Sequence, residues 1–162
     1  SHVLAWPWVE LPPLDQVIDS PVFSAGGRLV AEDGYHEDVR AFVDLGTVGD
    51  RKFRLPRVPE RPSGAELGEA RRWLVDELLA DFPFADPHSR LHAVALALLP
   101  VVRPMISGPT PLHMITAPVP GTGKSLLAKV CSMAATGQGP AGLQPGRDPE
   151  EWRKRITSTL RR

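Results

Sequence analysis

A single cysteine, Cys131, in 162 residues excludes an internal disulfide framework and fits a reducing compartment. No apolar run reaches the roughly 18 residues that a membrane-spanning helix needs. The apolar stretch 3–9 is short, interrupted by Pro7 and without a basic leader, so it does not read as a signal peptide. Net charge is absent too: 19 basic residues face 19 acidic ones. The basic coat of a dedicated nucleic-acid binder is therefore missing as an average. The expectation is a soluble, cytoplasmic chain with no membrane partner. It opens with Ser1 and His2 rather than Met, which points to processing, a tag remnant or a fragment.

Proline and glycine are plentiful instead, 18 and 14 residues, which implies many short elements and rigid loops. Hydrophobic residues at 42% are enough to build a core. The zero net charge conceals an asymmetry. Residues 1–50 hold nine acids against Arg28 and Arg40, a balance of −7, and residues 51–162 carry +7. Opposite signs in the two parts point to two modules, to an acidic face packed on a basic one, or to two ordinary solvated surfaces.

Punctuation divides the chain into four parts. Residues 1–55 form a β-containing segment. It begins with an arm bearing Trp6, Trp8, Pro12 and Pro13, and continues with short β-type runs around Val17, Val22, Leu29 and Phe42. Gly26 with Gly27, Asp33 with Gly34, and Gly46 are read as the turns between them. Residues 56–62 are a proline-bounded linker. Residues 63–110 are helical. Ser63 and Glu66 stand at capping-box spacing, and Leu67, Ala70, Leu74 and Leu78 follow as an apolar stripe ending near Asp81. A second helix is capped by Asp86, has Pro87 in its first turn, and runs through Leu91, Val94, Ala95 and Leu98 to Pro100. Residues 111–162 open with an apolar strand predicted over 112–116.

The most informative stretch follows that strand: Pro118-Val119-Pro120-Gly121-Thr122-Gly123-Lys124-Ser125, then Leu126 and Leu127. Gly-x-Gly-Lys-Ser is the working end of a Walker A loop. Glycines allow positive φ and bring consecutive N–H groups against phosphate oxygens. Lys124 is placed to reach the β- and γ-phosphates of ATP, and the Ser125 hydroxyl to hold Mg²⁺. The N-terminus of the following helix adds its partial positive charge. At average usage, a chance Gly-x-Gly-Lys-[Ser/Thr] in a chain this long is on the order of one in a hundred. One position departs from the full motif, because its first glycine is replaced by Pro118. The candidate nucleotide-binding set is Pro120, Gly121, Thr122, Gly123, Lys124, Ser125 and Leu126, with Ser125 as the magnesium ligand. Leu126, Leu127 and Val130 are expected to pack the helix on a sheet, and Gly137 to end it.

Hydrolysis also needs an acidic residue at the end of a later strand. The acids after Ser125 are Asp148, Glu150 and Glu151, and they read as a helix start: cap, Pro149, reciprocal Glu. Trp152, Ile156 and Leu160 give that helix an apolar stripe. No Walker B strand is legible, so the chain is expected to stop within a nucleotide-binding domain and to bind ATP without hydrolysing it alone. The resulting fold class is α/β: a partial P-loop NTPase core preceded by a helical and a small β-containing segment. The uncovered strand edges and apolar face of such a partial sheet predict self-association.

The loop resembles the Pro-Gly-Thr-Gly-Lys loop of AAA+ and related helicase NTPases. A longer likeness runs from about Leu11 to the C-terminus. It includes Pro21-Val22-Phe23 with Gly34-Tyr35, Asp81-Phe82-Pro83-Phe84, Arg103, Ala134-Ala135-Thr136-Gly137, and the stretch from Glu151 and Trp152 to Thr157. Together these are similar to the NTPase part of primase-helicases of phages and integrated elements, of the superfamily 3 or AAA+ kind. The resemblance implies ATP-driven DNA unwinding or loading in replication, by a ring-shaped homo-oligomer with Mg²⁺. The family's acidic strand, sensor and arginine finger find no matching positions.

Other features have simpler readings. His88 and His92 are four apart on a helix, yet no third metal ligand accompanies them, so they read as surface histidines. Cys131 reads as packing. Arg153, Lys154, Arg155, Arg161 and Arg162, like Arg51, Lys52, Arg54 and Arg57, read as solvated faces rather than phosphate contacts. Trp6 and Trp8 read as anchors of the arm rather than a stacking platform. Two alternatives remain for the whole chain: a non-enzymatic adaptor, and a small P-loop kinase, which would place its loop nearer the N-terminus.

Overall fold

The computed structural model describes residues 11–48, 50–52, 54–140 and 142–160; Trp6, Trp8, Arg161 and Arg162 lie outside them. The chain is mixed α/β, with strands confined to its first third among the described residues. These are β1 (Gln16–Ile18), β2 (Val22–Phe23), β3 (Leu29–Val30), β4 (Gly34–His36), β5 (Ala41–Val43), β6 (Thr47–Val48) and β7 (Arg51–Lys52). Helices follow: α1 (Gly64–Arg72), continued by a π-helical turn (Trp73–Leu78), then α2 (Pro87–Val102), α3 (Lys124–Thr136) and α4 (Pro149–Leu160).

β5 is the centre of a three-stranded sheet, parallel to β1 and antiparallel to β4, while β2–β3 and β6–β7 are separate antiparallel pairs. Side chains alternate along β5: Ala41 and Val43 are buried and Phe42 faces outward, as a period of two requires. Val43 joins Val22 and Val30 in a small core, flanked by Ile18, Val39 and Leu45. Gly34, read from sequence as a turn, instead opens β4. Its φ of 126° is a positive value that glycine adopts and other residues rarely do, and Tyr35 beside it hydrogen-bonds the Pro13 carbonyl at 2.8 Å. β6 and β7 had no sequence signal; two-residue strands are too short for periodicity to reveal.

The second core belongs to the helices. Leu79, Ala93, Ala97 and Cys131 are buried together, with Leu74, Phe82, Phe84, Val94, Leu96 and Leu127 packed around them. Small residues on α2 let α3 approach closely, and the Cys131 thiol donates to the Ala93 carbonyl at 3.6 Å. The β segment lies against this layer: β2 contacts α2, the Gln138 amide donates to Asp19 at 3.0 Å, and Gly27 faces the Met105 methyl.

The helix starts match the sequence reading. Ser63 and Glu66 form a reciprocal capping box, and Asp86 accepts from the Ser89 N–H at 2.8 Å with Pro87 behind it. At α4, Asp148 accepts from the Glu151 N–H at 2.8 Å, and Glu151 reaches back to the Arg147 N–H at 2.7 Å. The predicted apolar stripes need correction. In the first helix Leu67 and Leu78 are exposed while Leu79 is fully buried. The π-helical turn holds about 4.4 residues rather than 3.6, because its hydrogen bonds skip one residue further. It therefore carries the core-facing side from Leu74 to Leu79. In α2, Leu91 and Leu98 are exposed and Ala93 and Ala97 are buried; close approach of α3 selects the small face rather than the bulky one. α2 also runs past Pro100 to Val102 before a 3₁₀ turn (Arg103–Met105). Proline's fixed φ is helical, so one missing hydrogen bond does not end the helix at once.

The strand expected over 112–116 is absent. These residues belong to no sheet, with Leu112 95% and Met114 81% exposed. A strand exists only by pairing, and no described residue pairs with this one. For the same reason α3 packs on α2, not on a sheet: Leu126 is exposed, and Leu127 and Cys131 face the helical core.

Candidate functional site

The loop before α3 is built by two left-handed glycines, Gly121 with φ 79° and Gly123 with φ 85°. A residue with a Cβ is strained in this region. The two glycines turn the chain so that residues 118–123 wrap the N-terminus of α3 as an open loop. Gly123 is the N-cap and has no side chain to satisfy the first helical N–H groups. Its carbonyl accepts the first helical bond, from Leu127 N–H at 2.8 Å. The remaining N–H groups at this end are available to an anion, and the helix dipole favours one there.

Lys124 is half-buried and folds back over the loop. Its Nζ donates to the Val119 carbonyl at 3.2 Å and to Thr122 Oγ1 at 3.5 Å, and Thr122 Oγ1 also donates to the Val119 carbonyl at 3.3 Å. The ammonium is thus tied back onto the loop that it follows. Ser125, in the first turn of α3, and Leu126 and Pro120 are exposed. Pro120, Gly121, Thr122, Gly123, Lys124, Ser125 and Leu126 therefore lie at the N-terminal end of α3, exposed or half-buried. Val119 was not singled out from the sequence; its contribution is a backbone carbonyl, which carries no side-chain signal.

The floor of the loop is aromatic. Phe82 Cε1 lies 3.9 Å from where a Cβ on Gly123 would stand. Phe82 and Phe84 pack with ring centroids 6.2 Å apart, and the Arg90 guanidinium sits over the Phe84 ring at 5.6 Å. The sequence offered no reason to place Phe82 at the loop, since 41 positions separate it from Gly123.

The remaining candidates lie elsewhere. His88 and His92 are exposed on α2, and among the described residues no three His, Cys, Asp or Glu side chains cluster to hold a metal. Ser125 offers one hydroxyl oxygen, a donor type that Mg²⁺ accepts alongside phosphate oxygens and water. It fits an ion delivered with a nucleotide and not one bound by protein alone. Burial pushes the Cys131 thiol pKa up, so the thiol serves packing. On α4, Lys154 pairs with Glu150 and Arg155 with Glu151, while Arg103 binds the Ile106 and Gly108 carbonyls. No helix among the described residues is long and apolar enough to cross a membrane. No family model, curated protein or solved structure matches the chain.

Proposed function

We propose that this chain is the ATP-binding part of a DNA replication NTPase of the primase-helicase type. The supporting observation is the loop itself: Gly121 and Gly123 in the left-handed region, Lys124 folded back onto the Val119 carbonyl, and α3 starting directly after Gly123. In this reading the free N–H groups of the loop and of the α3 N-terminus hold the β- and γ-phosphates. Lys124 exchanges the Val119 carbonyl for phosphate oxygen. Ser125 holds the nucleotide's Mg²⁺, which neutralises phosphate charge when bound. Gly121, Thr122 and Gly123 line the approach, and Pro120 and Leu126 flank it. No Walker B strand is legible in the sequence to supply an acid that orients an attacking water, and in this reading the chain binds ATP without turning it over. DNA and ring neighbours belong to the complete machine, and its working compartment is the cytoplasm.

Calorimetric titration with Mg-ATP tests the reading. Saturable binding by the wild-type chain, lost in Lys124→Ala, is the expected result. Absence of binding in both overturns it. The second reading, a non-enzymatic adaptor, is favoured by the exposed apolar side chains of Leu112 and Met114, and it predicts no response to nucleotide.

A further inference from the structure

We infer that Phe82 is a positioning residue for the phosphate loop, keying the conformation of Gly123 to the helical core; the inference rests on the ATP-binding reading of that loop. Phe82 lies in the turn between the first helical unit and α2 and packs against the cluster of Leu79, Ala93, Ala97 and Cys131. Its ring edge also lies 3.9 Å from the position a Cβ on Gly123 would occupy, and among the described residues no other non-neighbouring atom comes within 4 Å of that position. One ring therefore packs on the core that fixes α3 and lies beside the glycine where α3 begins. Gly123 is the residue at which the loop's N–H groups change direction, with φ 85° and ψ 12°. Glycine is free to leave that conformation at little cost. The bonds of Lys124 and Thr122 to the Val119 carbonyl and of the Leu127 N–H to the Gly123 carbonyl hold it from within, and from outside the loop Phe82 is the side chain that limits its Cα side.

The consequence is preorganisation. With Phe82 in place, the loop amides are already aimed when phosphate arrives; without it, ordering them draws on the binding free energy. Phe84 supplies the comparison, because it packs on the same core yet does not reach within 4 Å of Gly123's Cβ position.

The experiment compares wild type, Phe82→Ala, Phe82→Leu and Phe84→Ala. It reads thermal stability, Mg-ATP affinity, and the NMR amide signals of Gly121, Gly123, Lys124 and Ser125 without nucleotide. The expected result is that both alanine variants lose stability, but Phe82→Ala alone moves or broadens the loop amides and weakens Mg-ATP about tenfold, a 1.4 kcal/mol effect. Phe82→Leu, which keeps an apolar contact, recovers most of both. If Phe82→Ala does not fold, Phe82→Val and Phe84→Val replace the alanine pair, and loop amides shifted only in Phe82→Val uphold the role whereas equal shifts in both overturn it. Loop amides and affinity that respond equally to Phe82→Ala and Phe84→Ala would overturn it, since Phe82 would then be core packing only. A wild-type chain that fails to bind Mg-ATP overturns the ATP reading instead, and the amide signals still decide whether Phe82 governs the loop.

Discussion

Gly123 combines a left-handed backbone with an aromatic ring that an added Cβ would meet at ordinary contact distance. Gly123→Ala accepts the contact but not the backbone, at a cost of about 1–2 kcal/mol. The expected outcome is a lower Tm and loss of Mg-ATP binding, read by calorimetry. Gly121→Ala meets the same backbone penalty in open space. Leu79 and Leu78 offer a contrast of packing. Leu79 is fully buried and Leu78 is 39% exposed, so Leu79→Ala is expected to destabilise by about 2–5 kcal/mol. Leu78→Ala should cost within about 1 kcal/mol. Chemical denaturation of the two variants checks the order. Equal losses would mean that the π-helical turn does not set the register.

The helix starts share a pH signature. Backbone N–H donation, from Ser63 to Glu66, from Ser89 to Asp86 and from Arg147 to Glu151, holds each carboxyl below its ordinary range, with Arg155 adding to the last. A carboxyl lowered by folding contributes its full stability above the ordinary value of about 4. That contribution is lost as pH falls through the lower folded-state value. Helical circular dichroism is therefore expected to hold from neutral pH down to about 4 and to fall below it. Glu66→Gln and Asp86→Asn should flatten that fall. The same starts were the most legible elements in the sequence, because a cap is a local arrangement of side chain and backbone. Ser63, Asp86 and Asp148 each act within three residues. The faces of the helices were not legible, because burial depends on partners distant in sequence. Close packing of α3 chose Ala93 and Ala97 over Leu91 and Leu98, and an extra residue per turn moved the core side to Leu79.

Across the whole molecule, the candidate site was legible as a string of residues and not as a setting. Gly121 and Gly123 adopt the positive φ that glycine permits, but the strand expected before them has no partner among the described residues, and Phe82 arrives from a different segment. The unpaired stretch leaves Leu112 and Met114 almost fully exposed, with Leu91, Leu98 and Leu126 exposed on the helices. Apolar surface of this kind drives association. Light scattering is expected to show an apparent mass that rises with protein concentration. Leu112→Ser with Met114→Ser should lower it, whereas a concentration-independent monomer would show that these side chains are not adhesive.

The thiol between α2 and α3 gives this chain an internal clock. Cys131 is the single sulfhydryl in the sequence and is 1% exposed, donating to the Ala93 carbonyl. A thiol reagent has one address on the molecule, and reaches it only when the two helices part. The pace at which that label is taken up is the pace at which the support beneath the loop opens.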